Sequence, residues 1–231
     1  MKKVLKSDGI PVIQFREVNR REFNENIDII FEKISTLNYP LIIKPSMLGS
    51  SIGIKIVNDE KELIKGLNFA FKYDNYVLVE EALGKYREFN CAIFKNKVSK
   101  IEEVVVKNGI FTFEDKYQDH LSDHILPAVI NKELEEEIYE LTRKVSDSLR
   151  NESLARIDFL YDLEKEKLYV NEINTIPGAL SYYLFEENGI YFDELIDLLI
   201  DNAIKRDYNN KNLINTFNSN VLKVNNGLKI K

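Results

Sequence analysis

The chain has 231 residues, 44% of them hydrophobic and 30% charged, enough for one substantial core or two modest lobes and unlike a disordered chain. Its net charge is −6, from 32 Lys and Arg against 38 Asp and Glu, which argues against a nucleic-acid-binding surface. The single cysteine, Cys91, fits a reducing cytoplasm; no run approaches the roughly 20 apolar residues of a membrane span, and "MKKVLKSDGIPV" lacks the apolar stretch of a signal peptide.

Met1 to Ser7 reads as the last turns of a helix stopped by Gly9. Pro11 to Val18 reads as a strand. Arg20 to Ser35 carries Phe23, Ile27, Ile30, Phe31 and Ile34 at helical spacing. "YPLIIKP" and "IGIKIV" are short β-branched strands joined by "SMLGS", and Asp59 caps a helix running to about Phe71. "YVLVEEAL" is a strand leaving this first lobe, assigned to residues 1–82.

The second lobe is assigned to residues 83–206. "REFNCAIF" and "KVSKIEEVVV" read as a hairpin around Lys95 and Asn96. Lys107 to Asp123 reads as a long polar loop, a feature that is often functional, and Lys132 to Leu149 as a helix. "LARIDFLYD" and "KLYVNEINT" are two strands around "LEKEK". Leu180 to Glu187 and Phe192 to Lys205 read as helices. From Asp207 the Asn-rich tail, residues 207–231, reads as poorly ordered.

Chemistry concentrates in the last two strands. Residues i and i+2 share a face, so Arg156 pairs in direction with Asp158, and Glu172 with Asn174. Antiparallel pairing about residue 165 puts Asp158 opposite Glu172 and Arg156 opposite Asn174. Two facing carboxylates repel unless a cation lies between them, and Asp, Glu and Asn oxygens suit Mg²⁺ that also binds phosphate. Arg156 beside them would stabilise developing negative charge. The competing reading is an exposed charged hairpin, and a one-residue slip would spoil the constellation.

"KPSMLGSSIG" lies between two strands. Gly49 and Gly53 permit tight backbone geometry, Ser50 and Ser51 offer donors to an anion, and Lys44 at the strand end can reach a phosphate. A following helix and a G-K-[ST] sequence are both missing, so this is not a P-loop. A plain hairpin turn is the alternative.

Taken together, "YPLIIKPSMLGSSIGI", "AFKYDNYVLVEEAL", "REFNCAIF", "DKY", "LARIDF" and "NEINTIPG" resemble, in order and separation, the D-alanine–D-alanine ligase family of the ATP-grasp superfamily. The resemblance spans residues 1 to about 206. It implies an α+β (α/β) chain with the ATP-grasp fold, two α+β lobes gripping ATP about a hinge near "VLVEEAL". It also implies roles. Lys44 would bind the phosphates under a mobile loop carrying Ser50 and Ser51. Glu80, Glu81 and Leu83 would meet the adenine, and Glu88 the ribose. Lys116 would contact the terminal phosphate and Tyr117 would hydrogen-bond Ser50. Asp158, Glu172 and Asn174 would hold two Mg²⁺ ions, or Mn²⁺ in their place. Arg156 and the Gly178 N–H would stabilise the tetrahedral intermediate. The activity implied is ATP-dependent joining of a carboxylate to an amine through an acyl phosphate, for peptidoglycan precursors of the cell wall.

Two departures open alternatives. The family's N-terminal domain, with a glutamate for the first amino acid and a lysine near the nucleotide, precedes the matched stretch and has no counterpart here. The expectation is then a working ligase, a nucleotide-binding half-enzyme without turnover, or a chain completed by a partner or a homodimer. After "NEINTIPG" the family continues with a Thr/Ser-rich stretch for the second substrate's carboxylate, but this chain reads "ALSYYLFEENG". Ser181 would substitute, while Tyr182, Tyr183 and Phe185 are either helix core or the wall of a different acceptor pocket. His120 and His124, without partners in sequence, read as solvated loop residues.

Overall fold

The computed structural model describes residues 1–49, 51–106, 122–214 and 216. Met1–Phe192 forms one compact unit, and Asp193–Lys231 a second. The first unit contains two antiparallel sheets. Helix α1 (Lys2–Ser7) leads to β1 (Phe15–Asn19), α2 (Arg20–Glu25), α3 (Ile27–Ile34), β2 (Leu41–Pro45), β3 (Lys55–Val57), α4 (Glu60–Ala70) and β4 (Tyr76–Glu81). Their strands form a four-stranded sheet in the order β1-β4-β2-β3.

The period of two along these strands sorts their side chains. Leu41 and Ile43 of β2, with Val77 and Val79 of β4, turn towards Ile30, Ile34, Leu63 and Leu67 of the helices, and all eight are buried. Alternate residues Ile42, Lys44, Leu78 and Glu80 therefore face the other way, where they line a cavity. The register holds Ile42 opposite Glu80 and Lys44 opposite Leu78.

The helix expected over Arg20 to Ser35 is two helices. Asn26 breaks it with an extended backbone (φ −158°, ψ 108°), and its side chain accepts from the Asp28 N–H at 2.9 Å to cap the second. Asparagine competes with the helical backbone in this way, so it favours caps over helix interiors. The first strand is also shorter than expected, because it begins at Phe15 rather than Pro11.

The second sheet has the order β7-β6-β5-β8-β9, built from β5 (Tyr86–Phe94), β6 (Lys97–Val106), β7 (Ser122–Ile125), β8 (Leu154–Asp162) and β9 (Lys167–Asn174). Between β7 and β8 runs α5 (Lys132–Ser148), whose Leu134, Ile138, Leu141 and Val145 pack on Phe89, Cys91, Ile157, Phe159, Leu168 and Val170. Burying side chains of this size stabilises by about 1.5–3 kcal/mol each, so this face carries the lobe's core. The opposite face is polar. β7 takes the end of the stretch read as loop, and residues 107–121 lie outside those described.

A short turn (Gly178–Ser181) and α6 (Tyr182–Glu186) complete the unit. The helix expected from Leu180 starts two residues later, since Ala179, Leu180 and Ser181 all have left-handed φ of 48–52°. Helix α7 (Phe192–Lys211), which lies in the second unit from Asp193 on, carries Asp193 and Glu194 in its first turn and Lys211 in its last, charges that complement its dipole. It therefore includes the first five residues of the stretch read as a tail. Among the described residues no helix is long and apolar enough to cross a membrane.

Candidate active site

A cavity of about 370 Å³ lies between the two sheets, within the size range of small-molecule sites. Its first wall is Ile42, Lys44, Leu78 and Glu80, with Leu48, Gly49, Ser51 and Ile52 from the β2–β3 connection. Its second wall is Tyr86, Glu88, Leu160, Asn171, Glu172, Ile173 and Asn174. Gly53 lets the connecting loop close down: at φ 78°, a Cβ there would come within 2.7 Å of Pro45 Cγ.

Glu80 anchors the first wall. It is fully buried, and its Oε1 accepts from Lys2 Nζ at 2.5 Å while Oε2 accepts from Lys44 Nζ at 2.8 Å. Burial pushes its carboxyl up, but the two ammonium groups outweigh this and hold it down at about 2. Burial, with Lys44 as a like charge, pulls Lys2 down to about 8 against the attraction of Glu80. Lys44 also donates to Asn171 Oδ1 at 3.2 Å, linking the two walls.

The β8–β9 hairpin has the expected pairing: Asp158 opposite Glu172 and Arg156 opposite Asn174. It also has an irregularity. Phe159 pairs with Val170, so Asn171 is an extra residue on β9. The extra residue reverses the facing of everything beyond it. Leu168 and Val170 point into the core, yet Glu172 and Asn174, of the same parity, point to the polar face beside Asp158. Without the bulge Glu172 would be aimed at the core.

Asp158 is 2% exposed. It accepts from Arg156 Nε at 2.6 Å and Nη2 at 2.8 Å, and from Asn174 Nδ2 at 2.9 Å. Burial lowers the Arg156 pKa, but Asp158 more than offsets that, so the net shift is upward. Two facing carboxylates and an amide supply hard oxygen donors that fit Mg²⁺. A metal would need Asn174 to present its oxygen in place of the nitrogen it now turns to Asp158. Among the described residues no three His, Cys, Asp or Glu side chains are placed to hold a metal; the set here has two carboxylates and one amide.

The cavity thus brings together Lys44, Ser51, Glu80, Glu88, Glu172 and Asn174, and Asp158 and Arg156 continue its polar wall. Glu81 and Leu83 do not line it. The Glu81 carboxylate instead accepts from the N–H and side chain of Asn38, both at 3.0 Å, and Leu83 lies half-buried on the β4–β5 connection. Gly178 opens the turn after β9, where a Cβ would meet open space. Ser181 is fully buried, and its Oγ has no hydrogen-bond partner among the described residues. Ser50, Lys116, Tyr117 and His120 lie outside the described residues.

Several residues escaped sequence reading. Lys2 lines the cavity, although no lysine counterpart was expected near the nucleotide. His124 is on β7 rather than in a loop, with Nδ1 2.8 Å from Glu102 Oε1. That hydrogen bond raises the His124 pKa. Glu102 is 2% exposed and also accepts from Asn90 Nδ2 at 2.9 Å and Tyr183 OH at 3.2 Å. Burial would raise its pKa, but these donors bring it below the ordinary value. Burial and Glu102 push the Tyr183 phenol up to about 12. The i, i+2 spacing of Glu88 and Asn90 was the one available signal that Asn90 shares the polar face.

Two sheets enclosing a cavity, with a lysine on one wall and a carboxylate pair on the other, define an ATP-grasp protein. The chain belongs to the family described as D-ala D-ala ligase C-terminus, whose model matches residues 4–201. It is 38% identical over 226 residues to the D-alanine–D-alanine ligase of Thermosipho africanus, covering 95% of this chain and 60% of that protein. The VanG D-Ala:D-Ser ligase from Enterococcus faecalis superposes with a TM-score of 0.72 at 30% identity, over 86% of this chain and 59% of the other. The D-alanine–D-alanine ligase from Bacillus anthracis complexed with ATP gives 0.70 at 25%, over 90% and 64%. The chain therefore spans about 60% of the length of the curated relatives it matches.

Proposed function

We propose that the chain is the nucleotide-binding and catalytic part of an ATP-dependent carboxylate–amine ligase serving peptidoglycan precursor synthesis, with lobes 1–82 and 83–206 gripping ATP. The observation that carries this reading is the facing of Lys44 and Glu80 on one wall of the cavity to Glu172 and Asn174 on the other, with Asp158 and Arg156 directly across the strand pair from the last two. A Bacillus anthracis relative complexed with ATP supports the nucleotide.

The chemistry has two steps. A carboxylate oxygen of the first amino acid attacks the γ-phosphorus of ATP, and ADP leaves, giving an acyl phosphate. The amine nitrogen of the second attacks the acyl carbon; phosphate leaves, and the amine loses a proton. Positioning and charge stabilisation suffice, with no covalent enzyme intermediate.

Lys44 and Ser51, with Ser50 and Lys116, would hold the phosphates. The "VLVEEAL" backbone and Glu88 would hold adenine and ribose. Mg²⁺ at Asp158, Glu172 and Asn174 would offset the phosphate charge. Arg156 would exchange its bond to Asp158 for one to the oxyanion, joined there by the Gly178 N–H, and Tyr117 would order Ser50.

The test is phosphate release from Mg-ATP with and without D-alanine, with ATP affinity measured on the same sample. Stimulated release is expected. The alternative reading is a nucleotide-gripping half-enzyme without turnover. Tight ATP binding with no release for any amino acid would establish that instead.

A further inference from the structure

The polar face of the second sheet carries a continuous row. Glu102 on β6 lies directly opposite Asn90 on β5, Asn90 opposite Asp158 on β8, and Asp158 opposite Glu172 on β9. The last two belong to the proposed metal site. The first two have no role in it.

Asn90 is 5% exposed. Its amide nitrogen donates to Glu102 Oε2 at 2.9 Å, which uses one end of the side chain. The other end, Oδ1, is buried and has no hydrogen-bond partner among the described residues. A buried acceptor left unpaired is costly and rare, so such an atom calls for a donor. An ionised carboxylate bonded to the amide N–H makes the amide oxygen a stronger acceptor. Glu102 is itself fixed by Tyr183 and His124, and Tyr183 is electrostatically coupled to both Glu102 and Arg156. The guanidinium of Arg156 lies on Asp158, the cross-strand neighbour of Asn90. A polarised acceptor for an ammonium therefore sits on the strand beside the one that carries Arg156 and Asp158, next to the place where the ligase reading puts the acyl carbon.

We propose that Asn90 is a substrate-binding residue whose side-chain oxygen accepts a hydrogen bond from the attacking amine of the second amino acid, with Glu102 behind it as a positioning residue. This rests on the ligase reading, which supplies the amine. The contact aims the nitrogen lone pair at the acyl carbon, and the Glu102 charge offsets the positive charge that nitrogen gains as the bond forms. The bound ammonium gives up one proton to solvent before attack, which frees the lone pair, and the nitrogen loses a second proton to solvent once the new C–N bond exists.

The experiment is calorimetry on the full chain loaded with Mg²⁺ and a non-hydrolysable ATP analogue, using D-alanine and propionate as probes. Propionate has the carboxylate without the amine. D-Alanine should bind at least about tenfold tighter than propionate, the scale of one hydrogen bond to a charged group. Asn90→Leu should erase that difference while leaving the affinity for the analogue unchanged. Glu102→Gln, which preserves shape, should reduce it and serves if the leucine variant does not fold. Equal binding of both probes, binding of neither, or a preference that survives both substitutions would overturn the assignment. Phosphate release is read separately. A D-alanine preference that depends on Asn90, with no release, would sink the ligase reading and leave this contact standing.

Discussion

Glu172 lies directly across the strand pair from Asp158 only because Asn171 is an extra residue in β9. Two carboxylates held face to face repel; Arg156 compensates Asp158, and a divalent cation joining both carboxylates would stabilise the pair further. Glu172→Gln keeps the shape and removes one charge. It should abolish the Mg²⁺ dependence of ATP binding and shift the melting temperature by only a few degrees, as for a half-exposed site outside the core. An unchanged Mg²⁺ response would contradict the metal assignment.

Glu80 should dominate acid stability in the first lobe. Its folded pKa of about 2 lies below the ordinary value of 4.5, so its contribution is complete above about pH 4.5 and fades as pH falls towards 2. The shift corresponds to roughly 3 kcal/mol. Glu80→Gln leaves two ammonium groups without their counter-charge, and loss of one partner of a buried pair costs about 3–5 kcal/mol. Denaturant unfolding from pH 7 to pH 2 should show wild type losing its advantage over the variant within that window. Parallel curves would count against it.

Local pattern made much of this site readable. The alternation in "ARIDF" and "VNEIN" placed Arg156, Asp158, Glu172 and Asn174 on common faces, and the observed pairing agrees. Pattern could not show the bulge, because Asn171 carries no glycine or proline signal. Nor could it join Lys2 to Glu80 across 78 residues, since packing decides that contact. His124 resembled a loop residue because β7 has only four residues, too short for periodicity. The Asn26 break and the left-handed turn at Ala179, Leu180 and Ser181 are local backbone choices beside apolar periodic stretches, which spacing alone reads as helix.

Gly53 should resist any side chain. Its φ of 78° disfavours L-residues, and a Cβ would overlap the Pro45 ring. Gly53→Ala should cost about 1–3 kcal/mol. It should also weaken ATP binding, because Pro45 ends the strand that carries Lys44. A thermal melt and an ATP titration on the same variant check both effects; a normal melting temperature would show that the loop relaxes around the methyl group.

His124 should titrate above the ordinary histidine value, because the buried Glu102 carboxylate holds its proton. The charges facing it come from Glu102 on β6, Asp123 on its own strand and Arg156 on β8, and the arginine opposes the other two. A raised folded pKa stabilises the protein fully below about pH 6.5, the unfolded value, and that stabilisation is lost as pH rises through the folded value. Following the imidazole carbon-bound protons by NMR gives the pKa directly. Glu102→Gln removes the charge but keeps a hydrogen-bond acceptor, so the pKa should fall back towards the ordinary value, with Arg156 still lowering it and Asp123 still raising it. An unmoved titration would mean that the pair is not held together in solution, and Glu102 would then lack the support that fixes it behind Asn90.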